Sequence, residues 1–178
     1  GVDQLPHVEL TREIARRFNF LYREIFPIPE PLISDVPKLL GIDGRKMSKS
    51  YGNSIYISDT GNELNKKILS MFTDPQRQRK SDPGRPELCN VFSFHQLYSD
   101  DSSIGEIDVE CRRAGIGCIE CKKRLAARIT EGLQTVHERQ EYYRGHIKEV
   151  LEIIENGTAR ASGIARATMA EVREAVKI

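Results

Sequence analysis

Apolar residues recur at Leu10, Ile14, Phe18, Leu21 and Ile25, at intervals of four or three, the period of a helix with one buried face. Pro6 is placed to start this helix and Pro27 to stop it, since proline suits a first turn and cannot donate within a helix. The stretch Pro27-Ile28-Pro29-Glu30-Pro31 is expected to be extended, because each proline disfavours the helical region for the residue before it. Residues 38 to 53, rich in glycine and basic groups, read as a mobile surface loop. From Ser58 onward the pattern is helical: Leu64, Ile68 and Phe72 on one short helix, then Pro86, Leu88, Val91, Phe92 and Leu97 on another. The run Leu125, Ile129, Leu133, Val136, Tyr143, Ile147, Leu151 and Ile154 predicts one extended or kinked helix, closed by Asn156-Gly157 as a left-handed cap. Ile164, Thr168, Val172 and Val176 predict a last helix. The expected fold class is mainly α, with an organisational boundary near residue 58.

Composition changes that picture little. The 178 residues are 39% apolar and 30% charged, which suits a globular chain and excludes disordered or fibrous classes. No run of 18 apolar residues and no basic-then-apolar leader is present, so a cytoplasmic protein without membrane contact is the expectation. The chain opens on Gly1, which suggests a fragment. The net charge of +1 hides an asymmetry: residues 1 to 111 carry 14 basic and 17 acidic side chains, residues 112 to 178 carry 13 and 9. The later part is therefore the expected partner for a polyanion.

The loop carries the first candidate chemistry. Lys46 and Lys49 flank Met47 and Ser48, with Gly44 before them and Gly52 after. Two ammonium groups on such a backbone suit a polyphosphate whose negative charge grows during reaction, for they stabilise that charge more in the transition state than in the ground state. A Walker-type loop is absent. The five residues Lys46-Met47-Ser48-Lys49-Ser50 are identical to the second ATP motif of class I aminoacyl-tRNA synthetases. Their setting, Asp43-Gly44-Arg45 before and Tyr51-Gly52-Asn53 after, resembles the tryptophanyl branch. Gly1-Val2-Asp3-Gln4 and the helix from His7 to Asn19 resemble the Gly-x-Asp-Gln segment of the same family.

The resemblance implies a C-terminal remnant of a class I Rossmann catalytic domain over residues 1–58, followed by an α-helical anticodon-binding domain over residues 59–178. It implies ATP, used with Mg2+, held by Gly1, Val2, Asp3, Gln4, Leu39, Lys46, Met47, Ser48, Lys49 and Ser50, with Lys46 and Lys49 catalytic. Asp3 would accept from the ribose hydroxyls, Leu39 would offer backbone groups to the adenine, and Met47 an apolar contact. Tryptophan and tRNA(Trp) are the implied partners, and a homodimer the implied assembly. Nothing here resembles the first ATP motif or the amino-acid pocket, so the fragment alone is expected to be inactive. The competing expectation is a stand-alone RNA-binding or iron–sulfur module without catalysis.

Cys89, Cys111, Cys118 and Cys121 are the four cysteines, spaced C-x21-C-x6-C-x2-C. Reduced thiols in a cytosolic protein point to metal rather than disulfides; the spacing suits Zn2+ and an iron–sulfur cluster equally, and buried cysteines without a metal are the third reading. The pattern resembles that of iron–sulfur tryptophanyl synthetases, which implies a [4Fe-4S] cluster acting as a structural clip. Arg112, Arg113, Lys122, Lys123 and Arg124 beside it are the candidate contacts to RNA phosphates.

Overall fold

A computed structural model describes residues 4–33 and 39–177, and these are mainly helical, as the patterning predicts. The helices follow in chain order as α1 (Leu5–Leu21), α2 (Gly61–Leu69), α3 (Asn90–Tyr98), α4 (Asp101–Arg112), α5 (Cys118–Gly132), α6 (Gln134–Gly145) and α7 (Ile147–Val176), with 3₁₀ turns at Lys49–Tyr51 and Pro86–Leu88. Among the described residues β-pairing amounts to one antiparallel bridge, Leu40 with Lys46. The chain divides into two compact units, Gly1–Asp35 with Tyr143–Ile178, and Val36–Tyr142.

In the first unit α1 starts beside Pro6, as predicted, and stops a turn before the sequence reading had it. Asn19 explains the stop. Its Oδ1 accepts from the amides of Ile25 and Phe26 at 3.1 and 3.0 Å, and its Nδ2 donates to the Phe26 carbonyl, so one side chain supplies the partners that a further helical turn would have used. Phe18 packs edge-on against Phe26, and Arg12 donates to the Pro29 carbonyl at 2.6 Å, which ties the proline-rich segment along α1.

The long helix expected from Leu125 to Ile154 is three helices, α5 to α7, separated by single residues at Leu133 and His146. Each break follows a glycine, Gly132 or Gly145, where the helical backbone is weakest. Asn156-Gly157 is not a cap: both lie inside α7, which continues to Val176 and takes in the predicted last helix. A glycine in a helix interior costs about 1 kcal/mol relative to alanine, and the helix-favouring Ala159, Ala161, Ala165 and Ala167 follow immediately.

The second unit has the hydrophobic core. Leu64 and Ile68 of α2, Val91 and Phe94 of α3, and Leu125, Ala126 and Ile129 of α5 close on one another together with Met71 and Leu133. The apolar face of α3 therefore runs through Val91 and Phe94 rather than through Phe92 and Leu97. Phe72, assigned to α2 from sequence, lies beyond its end and is 41% exposed. Helix α4 is nucleated by Asp100, whose carboxylate accepts from the Ser103 amide at 2.8 Å.

Candidate nucleotide loop and cysteine cavity

The loop from Leu39 to Asn53 is built rather than open. The Gly41 amide donates to the Arg45 carbonyl at 2.8 Å, and the Gly44 amide to the Gly41 carbonyl at 2.9 Å, with Gly44 at φ +79°. Asp43 accepts from the amide and side chain of Arg45 and from Asn53. The Asn53 bond and then the Arg45 bonds hold the Asp43 carboxyl down at about 2. Ser48 caps the 3₁₀ turn at Lys49–Tyr51 by accepting from the Ser50 amide, and Gly52 ends it at φ +63°. Lys46 and Lys49 are exposed, and among the described residues neither ammonium has a hydrogen-bond or ion-pair partner. Two positive charges are thus presented without competition from acids.

The loop is fixed to the helical core below it. The Phe72 amide donates to the Ile42 carbonyl at 2.7 Å, and the buried Asn90 side chain donates to the Gly41 carbonyl at 2.9 Å. Ile42 and Met47 pack against the core cluster, as does Leu39.

Cys89, Cys111, Cys118 and Cys121 line one small cavity with Thr73, Arg77, Val91 and Ile116. Sequence spacing says little about why they meet; the folding of three helices explains it. Cys89 precedes α3, Cys111 lies in the last turn of α4, and Cys118 and Cys121 occupy the first turn of α5, where i and i+3 share a face. Gly84 brings its backbone against Cys111, since a Cβ there would stand 2.5 Å from the sulfur. Burial pushes the Cys89 and Cys111 thiols up, and burial with the neighbouring cysteines pushes Cys121 up to about 12. Several groups oppose this and favour thiolate: the amides of Phe92, Val91 and Asp74 toward Cys89, and Arg77, whose Nη1 lies 3.5 Å from the Cys111 sulfur. His95 is buried, which lowers its pKa, and sets Nε2 at 3.5 Å from the Cys121 sulfur. Among the described residues no three His, Cys, Asp or Glu side chains converge to the spacing of a single bound ion; the cysteines share walls instead.

The basic groups near the cysteines divide into used and unused. Lys122 is not a surface group: it is buried and donates to the Leu69 carbonyl at 2.8 Å, satisfying the C-terminal end of α2. Arg112 pairs with Glu87 and Asp108, Arg113 with Glu110, and Arg124 with Glu106 and Glu120. Lys123 has no such partner among the described residues, and it lines a cavity of about 510 Å³ with Arg77, Arg79 and Lys80.

The sequence profile described as tRNA synthetases class I (W and Y) matches residues 1–134. The chain belongs to that family. It is 49% identical to the tryptophan–tRNA ligase of Aquifex aeolicus, over all of this chain and 45% of that protein. With the tryptophan–tRNA ligase of Thermotoga maritima the identity is 47%, over all of this chain and 55% of that protein. The solved structure of tryptophanyl-tRNA synthetase from Campylobacter jejuni, complexed with ADP and tryptophan, superposes with a TM-score of 0.78 at 32% identity, covering 100% of this chain and 56% of that one. The chain spans about half the length of the curated relatives it matches.

In this class I synthetase chain, the second compact unit holds Leu39, Lys46, Met47, Ser48, Lys49 and Ser50 in one loop and all four cysteines round one cavity. Gly1, Val2 and Asp3 lie outside the described residues. Gln4 sits at the start of α1 in the first unit, exposed and with no side-chain cap bond. No described helix is long and apolar enough to cross a membrane. Sequence reasoning missed Asn53, Asn90, Arg77 and His95. The signal for Asn53 was available, because it is a short amide next to the turn glycine Gly52, and such side chains commonly bond nearby backbone.

Proposed function

We propose that this chain is part of a tryptophan–tRNA ligase. Together with the remaining length that its relatives have, it activates tryptophan with ATP and Mg2+ and passes the product to tRNA(Trp). The tryptophan carboxylate attacks the α-phosphorus, the bond to the bridging oxygen of the β-phosphate breaks, and pyrophosphate leaves with the negative charge. The tryptophanyl group then moves from AMP to the terminal ribose of the tRNA. The observation that carries this reading is the pair Lys46 and Lys49, exposed and without acidic partners on a loop whose backbone is fixed. Such charges meet departing pyrophosphate without the cost of breaking earlier ion pairs.

On this reading Gly1, Val2, Asp3, Gln4, Leu39, Met47, Ser48 and Ser50 complete the ATP site. Residues 1–58 are the end of the catalytic domain and residues 59–178 the anticodon-binding part, in a cytoplasmic homodimer. Near the cysteines, Arg79, Lys80 and Lys123 are cations without an acidic side-chain partner among the described residues, and they would meet RNA phosphates. The four cysteines fit a [4Fe-4S] cluster in number, in donor type and in ringing a common cavity, with amides and Arg77 directed at the sulfurs. Cys89, Cys111, Cys118 and Cys121 would hold it, and it would clip α3, α4 and α5 together. Tryptophan-dependent exchange of pyrophosphate into ATP by the full-length protein tests the activity. Exchange that follows tyrosine instead would reassign the substrate, and exchange with neither would overturn the ligase reading.

A further inference from the structure

Asn53 is 2% exposed and commits three hydrogen bonds of its side chain, both amide donors among them, to the loop. Its Oδ1 accepts from the Ser48 amide at 2.9 Å. Its Nδ2 donates to Asp43 Oδ1 at 2.8 Å and to the Lys46 carbonyl at 3.1 Å. Its own carbonyl accepts from the Ile42 amide at 2.8 Å. One residue therefore grips the backbone on both sides of Met47, at the positions that carry Lys46 and lead into Lys49.

The geometry admits an amide and little else. Turning the carboxamide over would set its oxygen against the Asp43 carboxylate and the Lys46 carbonyl, so the network fixes which way it faces. An aspartate would lose both donors and face Asp43 with a like charge. A longer side chain has no room, because Gly41 closes on the amide so tightly that a Cβ at position 41 would overlap it. Gly41 is itself held by Asn90.

We propose that Asn53 is a positioning residue for Lys46 and Lys49, fixing the loop backbone so that both ammonium groups are aimed before ATP arrives; this rests on the reading of the loop as the pyrophosphate-binding element. Only the two lysine side chains then remain to be ordered in the transition state. A misplacement of about 1 Å in such a constellation costs on the order of 10²-fold in rate, so Asn53→Ala lowers kcat for adenylate formation by about 10- to 100-fold with little change in KM for ATP.

The test is a double-mutant cycle in the full-length protein, with Asn53→Ala, Lys49→Ala and the pair, read as kcat of tryptophan-dependent pyrophosphate exchange. If Asn53 acts through the lysines, its removal costs much less once Lys49 is gone. Transfer of tryptophan to tRNA from preformed tryptophanyl-AMP stays at the wild-type rate. Full additivity, or an equal loss in the transfer step, marks Asn53 as merely structural and overturns the proposal. A fall with Lys49→Ala but none with Asn53→Ala also overturns it and leaves the loop reading standing, whereas no fall with Lys49→Ala removes both. Should Asn53→Ala fail to fold, Asp43→Ala removes one bond of the same clamp and is expected to give a smaller drop in the same kcat; no drop counts against the proposal.

Discussion

Asn90, the residue that follows Cys89, donates its buried side-chain amide to the carbonyl of Gly41 at 2.9 Å, across 49 positions of sequence. The cysteine cavity and the lysine loop thus meet in one hydrogen bond at the first residue of α3. The position of Cys89 and the height of the loop are set by the same turn.

Replacing Asn90 by alanine removes one of the two donors to the Gly41 carbonyl and leaves it the Gly44 amide, a loss of about 1 kcal/mol. Urea denaturation is expected to show the midpoint fall with the slope unchanged. A midpoint within error of wild type would mean that water replaces the bond.

Lys49→Ala in the full-length protein is expected to slow adenylate formation by on the order of 10²-fold or more, with tryptophan affinity nearly unchanged, because a partner of the transition-state charge is lost. Pyrophosphate exchange and tryptophan binding measured side by side decide it. An unaltered exchange rate would show that the lysine is only solvated.

Asp43 gives a pH signature. Its carboxyl titrates at about 2 in the folded protein, below the ordinary value of about 3.9, chiefly through Asn53 and then Arg45. A depressed folded value means that the carboxylate stabilises the loop above about pH 4 and that this contribution is lost as pH falls toward 2. Carbon-detected NMR titration is expected to show the low midpoint in wild type and a rise toward the ordinary range in Asn53→Ala. An unmoved midpoint would assign the shift to Arg45.

Protein purified without oxygen is expected to be brown, with a broad shoulder near ~400 nm from thiolate-to-iron charge transfer and about four irons and four labile sulfides per chain. Cys121→Ser should bleach it. It should also loosen residues 89 to 121, since binding energy at such a site is partly folding energy. A colourless sample with one Zn2+ per chain, or with no metal, overturns the cluster and leaves the ligase reading intact.

Binding of tRNA is expected to weaken with salt. If Arg79, Lys80 and Lys123 each meet one phosphate of a single strand, they contribute about −2 to the slope of log affinity against log salt, and Lys123→Ala reduces its magnitude by about 0.7. A slope unaffected by that substitution would move the contact elsewhere.

What could be read from sequence follows from the range of the interactions. The α1 start, the two short α2 and α3 segments and the lysine loop depend on neighbours in the chain, and they were legible. The breaks at Leu133 and His146 were not, because the apolar period runs through both and only the weak helix preference of Gly132 and Gly145 marks them. The supposed cap at Asn156-Gly157 failed for the opposite reason: a strong local stop signal is outweighed by the alanine-rich helix on its far side. Lys122 looked like its neighbours Lys123 and Arg124, and its burial is decided by Leu69, 53 positions away. The gathering of the cysteines likewise depends on α3, α4 and α5 packing, which spacing cannot express.

Because Asn53 supplies the hydrogen bonds that a strand ladder would otherwise give to positions 46 and 48, the side chains of Lys46 and Lys49 carry no duty in holding the fold. Selection on the two lysines is thereby separated from selection on the scaffold. On the proposed reading of the loop, drift at either lysine would alter the chemistry while the protein still folds, and drift at Asn53 or Gly41 would spoil the loop while the two lysines stay in place. Lineages that have lost the activity should therefore record different histories at the two kinds of position.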